Sequence, residues 1–154
     1  MKAIEMLKED HREVLNLIGE LEAAEFESDE FDIPDTNVFN QLHHALKLHT
    51  QMEEEIFYPE MEKFEETSEQ VRRAYREHDQ IDNLLAQLSL LLPYEEPFHE
   101  LLAELRSSIE HHIEDEEGEL FTRAEELCDL QKLEEMGQEM ETIKNNARAT
   151  VVTQ

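Results

Sequence analysis

Tryptophan is absent from this 154-residue chain, and cysteine occurs once, at Cys128. A single thiol excludes an intrachain disulfide, so nothing argues for an oxidising compartment. Cys128 reads as a small buried hydrophobe. Glycine (3) and proline (4) are scarce; with abundant Glu, Leu and Ala, this favours helices over strands. Bases are scarce too: 13 against 40 acids, a formal net charge of -27. A phosphate backbone would be repelled, so nucleic acid and anionic membrane are poor partners. The acids read mainly as a solvated surface, with a field that also concentrates cations. Long apolar runs are missing. The most apolar segment, Leu84 to Leu92, is too short to span a bilayer. Met1 to His11 is charged throughout, unlike a signal peptide. The expectation is a soluble cytoplasmic protein.

What is present is helical periodicity. The length suits one domain over 1–154, with a bundle from about 3 to 127 and a C-terminal helix and tail from about 129 to 154. A first helix, about Ala3 to Ala24, places Ile4, Leu7, Val14, Ile18 and Leu21 on one face, with His11 in the gap. An acidic loop from about Glu27 to Thr36 precedes a second helix, with Asp35 or Thr36 as its N-cap. That helix carries Phe39, Leu42, Leu46, Ile56 and Phe57, continued by His49 and Glu53, and Pro59 is expected to kink or end it. Thr67-Ser68-Glu69-Gln70 has the form of a capping box opening a third helix. Its seam is Val71, Ala74, His78, Ile81, Leu85, Leu88 and Leu92. A fourth helix, about Phe98 to Leu127, aligns Leu101, Leu105, Ile109, His112, Glu116 and Leu120. Leu130 to Ile143 suggests a short fifth helix on the outside, with a frayed tail from about Asn146. The expected fold is all-α, an up-down-up-down four-helix bundle with a short C-terminal fifth helix.

The seams carry the chemistry. His11, His49, His78 and His112 fall one per helix on apolar faces, and Glu53 and Glu116 follow two of them by four residues. That spacing puts each His–Glu pair on one helical face. Ionisable groups in a core are costly unless something binds them. A lone histidine on an apolar face is ordinarily a satisfied core residue; four of them, two with a following carboxylate, favour metal. Four imidazoles and two carboxylates suit two divalent ions about 3.5–4 Å apart. Nitrogen and oxygen donors without thiolate suit iron, with manganese or zinc as substitutes. Asp82, four residues after His78, and Glu117, beside Glu116, are further candidates for metal or its surroundings. Tyr58 and Tyr75 are candidates to line the cavity. His43, His44, His99 and His111 lie off the seams. Ferritin-like Glu-x-x-His pairs fail, since the one such spacing, Glu96 to His99, contains Pro97. Zinc-protease, phosphate-loop and nucleophile-elbow motifs are absent.

In Lys8-Glu9-Asp10-His11, Leu48 to Pro59, Glu77-His78-Asp79 and His111 to Glu117, the chain resembles the hemerythrin-like family of HHE cation-binding domains. The resemblance implies a non-haem di-iron centre with two bridging carboxylates and an oxo or hydroxo bridge. By position, His11, His49, His78 and His112 would be terminal ligands and Glu53 and Glu116 bridges. Oxygen-carrying members have a second histidine where this chain has Asp82, and an acid where it has Glu117. The sequence looks more like four-His, two-Glu variants, associated with iron handling, oxygen or nitric oxide chemistry, sensing and iron–sulfur cluster repair. The expected role is binding or sensing of O2 or NO, or handling of iron, at that centre. Sensing would act through a separate protein partner. The alternatives are a small di-iron enzyme (oxidase, peroxide-decomposing or cluster repair) and a metal-free structural bundle.

Overall fold

The computed structural model describes residues 2–23 and 33–153. Helix α1 is Ala3–Ala23 and α2 is Ile33–Met52. The latter continues through a π-helical turn, Glu53–Phe57, into a last α-turn, Tyr58–Met61. Helix α3 is Glu65–Ser89. Helix α4, Glu96–Asp115, likewise passes through a π turn, Glu116–Leu120, into Phe121–Leu127. Helix α5 is Leu130–Thr153. The fold is the expected all-α bundle, with no strand among the described residues. No helix among them is long and apolar enough to cross a membrane.

Several local expectations change. Helix α2 begins at Ile33, ahead of Asp35 and Thr36, and most of the preceding acidic segment lies outside the described residues. Pro34 falls in its first turn, where a missing N–H costs nothing. Thr67 does not cap α3, whose extended N-cap residue is Phe64. Instead, the buried Thr67 hydroxyl donates to the Met61 carbonyl at 2.6 Å and fastens the α2–α3 corner. Leu92 falls beyond the end of α3 and is 49% exposed. In α4 the inward residue is Leu102, with Leu101 only partly buried. Helix α5 is long rather than short: Leu133, Met136 and Met140 give it a buried face, and the helix runs on through the expected tail to Thr153.

The interior divides in two. At one end, Val14, Ile18, Leu42, Leu46, Ile81, Leu85, Leu105 and Ile109 belong to one cluster. At the other, Leu7, Met52, Phe57, Met61, Val71, Leu120 and Phe121 pack with Leu133, Met136 and Met140 of α5. His11, His49, Glu53, His78, His112 and Glu116 are buried on the same seams, with Asp10 buried beside His11. Their positions along the helices place them between the clusters.

The two π turns shape this layer. Pro59 lacks an N–H, and its ring crowds the carbonyl four residues back; the widened turn lies just before it. In the π turns the carbonyls of Glu53 and Glu116 accept from the N–H groups of Tyr58 and Phe121, five residues on. This advances the inward face by one residue. Phe57, Tyr58 and Phe121 are thereby fully buried beneath the two glutamates.

Candidate metal centre

The four imidazoles turn their Nε2 atoms toward two carboxylates. His49 and His78 place Nε2 at 3.3 and 2.9 Å from Glu53 Oε1. His11 and His112 place Nε2 at 3.1 and 3.2 Å from Glu116 Oε1. His78 and His112 bring their Nε2 atoms within 3.2 Å of each other. Donor atoms of His11, His49, Glu53 and Glu116 lie within 4.8 Å of one another, and so do those of Glu53, His78 and His112. Glu53 belongs to both groups. The two histidine pairs repeat one geometry: ring centroids 4.8 Å apart at 66° for His11–His49, and 4.7 Å at 64° for His78–His112.

Behind each imidazole stands another acid. Nδ1 of His11 meets Glu117 at 2.7 Å, and that of His49 meets Asp10 at 3.2 Å. Nδ1 of His78 meets Glu54, and that of His112 meets Glu77, both at 2.7 Å. Each acid is adjacent in sequence to an inward residue of its own helix: Asp10 to His11, Glu54 to Glu53, Glu77 to His78, Glu117 to Glu116. A neighbour in sequence is turned by about 100°, so it faces the next helix. The step is backward on α1 and α3 and forward on α2 and α4. Antiparallel helices reverse the sense, so all four acids point the same way round the bundle. The result is a closed ring in which α1 grips α2, α2 grips α3, α3 grips α4 and α4 grips α1.

With Nδ1–H donated outward, a neutral imidazole presents its Nε2 lone pair inward. Lone pairs on nitrogen and carboxylate oxygen then face each other across about 3 Å, an arrangement that repels without a cation between them. His49 Nε2 and Glu53 Oε2 are buried without a hydrogen-bond partner. The donor set therefore fits metal: neutral nitrogen and anionic oxygen, preoriented, with orphaned donor atoms. In the absence of metal, protons take that role. Burial lowers the pKa of His49, but Glu53 and Asp10 override it and push it up to about 10. His78 and His112 are raised for the same reason against the same burial penalty. Burial would raise Glu53, yet His49, His112 and His78 hold it well below the usual range.

Tyr58 reaches the middle of the layer. Its hydroxyl donates to Glu116 Oε2 at 2.5 Å and lies 3.2 Å from both Glu53 Oε1 and His78 Nε2. Burial and the adjacent Glu116 and Glu53 carboxylates raise its pKa well above 10, so it stays protonated. Tyr75 packs edge-on against Tyr58.

The structure brings together His11, His49, Glu53, His78, His112 and Glu116, with Tyr58 among them and Glu117 behind His11. It does not bring Asp82 there. That side chain is 43% exposed and pairs with Lys47 at 2.9 Å, because position 82 turns off the seam on which His78 lies. Asp10, Glu54 and Glu77 were not singled out from the sequence. Among 40 acids they look like surface charge; the usable signal was adjacency to an inward residue.

Fold and site together define a helical bundle with a histidine–carboxylate centre of the kind that binds cations. The family description "Hemerythrin HHE cation binding domain" matches residues 2–124, and the chain belongs to that family. A solved hemerythrin HHE cation binding domain-containing protein from Mycobacterium kansasii is similar, with TM-score 0.79 and 23% identity over 100% of this chain and 94% of that one. At that identity the likeness concerns the fold. The chain is also 24% identical, over 145 residues, to a protein of Nostoc sp. described as a DNA nickase. The match takes in 94% of this chain but only 40% of that protein. Helix α5 lies beyond the segment matched by the family.

Proposed function

We propose that the chain binds two metal ions, natively iron, and uses them to bind or sense a small ligand such as O2 or NO. Glu53 carries the reading: its carboxylate is common to two groups of donors while one of its oxygens is buried without a partner. His11 and His49 would hold one ion, His78 and His112 the other, with Glu53 and Glu116 shared. Manganese or zinc would suit the same donors. Bound iron would supply redox chemistry and free coordination positions for the ligand. The protein contributes the rest. The outer acids fix each imidazole as an inward Nε2 donor. Tyr58 holds a proton beside both carboxylates. The apolar clusters pack against the layer from either end.

A small di-iron enzyme acting on peroxide or nitric oxide is the second reading, and the Tyr58 hydroxyl at the carboxylates favours it. Nicking of DNA is not carried over from the Nostoc protein, since a chain of net charge -27 repels a phosphate backbone. Elemental analysis of protein purified without chelator, with an absorption spectrum, tests the proposal. The expected result is about two irons per chain with near-ultraviolet oxo-bridge bands. No metal, and no uptake of ferrous iron under anaerobic conditions, overturns it and leaves a structural bundle. Turnover of peroxide or nitric oxide by the loaded protein selects the enzyme reading.

A further inference from the structure

The four outer acids are not equivalent. Glu54 and Glu117 are partly exposed and each meets a single imidazole at 2.7 Å. Glu77 gives its Oε1 to His112, and its other oxygen lies 3.5 Å from the exposed His111. Asp10 is the buried one, and it is divided. Its Oδ2 accepts from His49 at 3.2 Å, while its Oδ1 accepts from Lys144 Nζ at 2.6 Å. The His49 bond is the longest of the four. Lys144 comes from α5, outside the family-matched segment, and is itself largely buried.

We propose that Lys144 is a positioning residue that makes the two halves of the centre unequal. By drawing the Asp10 carboxylate toward itself, it leaves His49 less firmly oriented and less electron-rich. It also sets a positive charge in direct contact with the acid behind that half, whereas on the other half Arg73 reaches Glu77 only through Asp115. Both effects lower the affinity of the His11–His49 half for a divalent ion relative to the His78–His112 half. The sign holds whether or not His49 is protonated beforehand: a doubly charged ion replaces at most one proton there, so an ammonium nearby opposes the exchange. The fifth helix thereby sets the order in which the ions load. This inference rests on the two-ion reading above.

Zinc, which is redox-silent and diamagnetic, is the probe. Metal-free protein is titrated with Zn2+ against a competing chelator, for the natural chain, Lys144→Met and Lys144→Arg. A cavity of about 490 Å3, lined in part by Asp10, His49, Lys144 and Ala147, gives the replacement side chains room. The natural chain should show two unequal steps. Lys144→Met should tighten the weaker step by about tenfold, the low end of effects from groups behind metal-bound histidines, and leave the tighter one unchanged. Lys144→Arg, which keeps the charge, should behave like the natural chain. In NMR spectra of the zinc-loaded protein, the His49 Nδ1 proton should shift in Lys144→Met while the other three stay. A merely structural lysine would lower thermal stability without moving that proton or the gap between steps. Two steps unchanged in Lys144→Met, or both tightened equally, overturn the inference while leaving the two-ion reading standing. No zinc uptake by the natural chain overturns both.

Discussion

The α1–α2 half and the α3–α4 half of the centre present nearly the same face inward and different backs outward. Their histidine pairs agree in spacing and tilt to within 0.1 Å and 2°. Behind His11 lie Glu117 and the Phe121 ring, stacked at 5.7 Å, and behind His49 lies the buried Asp10 with the partly buried Lys144. Behind His78 and His112 lie Glu54 and Glu77, and the Tyr58 ring tilts against His78 at 5.3 Å. The difference teaches that ligand identity and ligand strength have separate origins. Four antiparallel helices with one inward histidine each produce two like pairs. What packs behind the pairs is not repeated, so their affinities need not be.

Breaking both halves at once should have the largest effect. His49→Ala combined with His112→Ala takes one donor from each pair and is expected to abolish metal binding. At metal a thousandfold above Kd, each ion stabilises by about 4 kcal/mol, so the melting temperature should fall sharply relative to loaded natural protein. Unchanged metal content in the double variant would sink the ligand assignment.

The pH dependence of the metal-free protein comes next. His49 titrates near 6.5 unfolded and is pushed to about 10 when folded. A raised folded pKa contributes stability that is complete below 6.5 and is lost as pH rises through about 10. Denaturant melts of metal-free protein should show a loss on the order of several kcal/mol between pH 6.5 and 10. Metal-loaded protein should not share it, because metal then takes the place of the proton. A flat metal-free profile would remove the charge argument for both halves.

Tyr58→Phe sharpens the contrast. It removes a hydroxyl that touches both carboxylates and, of the histidines, only His78. Acceptors left unpaired in a buried layer cost about 1–3 kcal/mol, read as a lower denaturation midpoint of the metal-free form. The smallest effect is expected from Asp82→Ala, which breaks only an exposed pair with Lys47. Stability should change by less than about 1 kcal/mol, and metal content should stay the same. Loss of one ion would instead place Asp82 at the α3–α4 half.

Much of this arrangement was legible in the chain. His11 and His78 fill gaps in 3.6-residue apolar series, and His49–Glu53 and His112–Glu116 share faces by i, i+4 spacing. Periodicity reports which residues point inward, and that was enough for the fold and for placing these six side chains in the interior. Leu92 and Leu101 were misplaced because a helix end and a few degrees of rotation are invisible to a periodic pattern. The length of α5 was missed because its apolar series stops at Ile143, while the helical backbone continues to Thr153. Asp10, Glu54 and Glu77 were hidden among like charges.

The sequence by itself determined the number of helices, the face each one buries, and the presence of one inward histidine on each of the four bundle helices. These follow from local spacing along a helix of fixed pitch. Only the tertiary structure decided which helix follows which around the bundle, and therefore which acid grips which imidazole. It also decided the π turns that carry Tyr58 beneath Glu53, and the docking of Lys144 on Asp10 across 134 positions of sequence. Those contacts depend on the relative rotation of packed helices, which the period of a single helix does not encode.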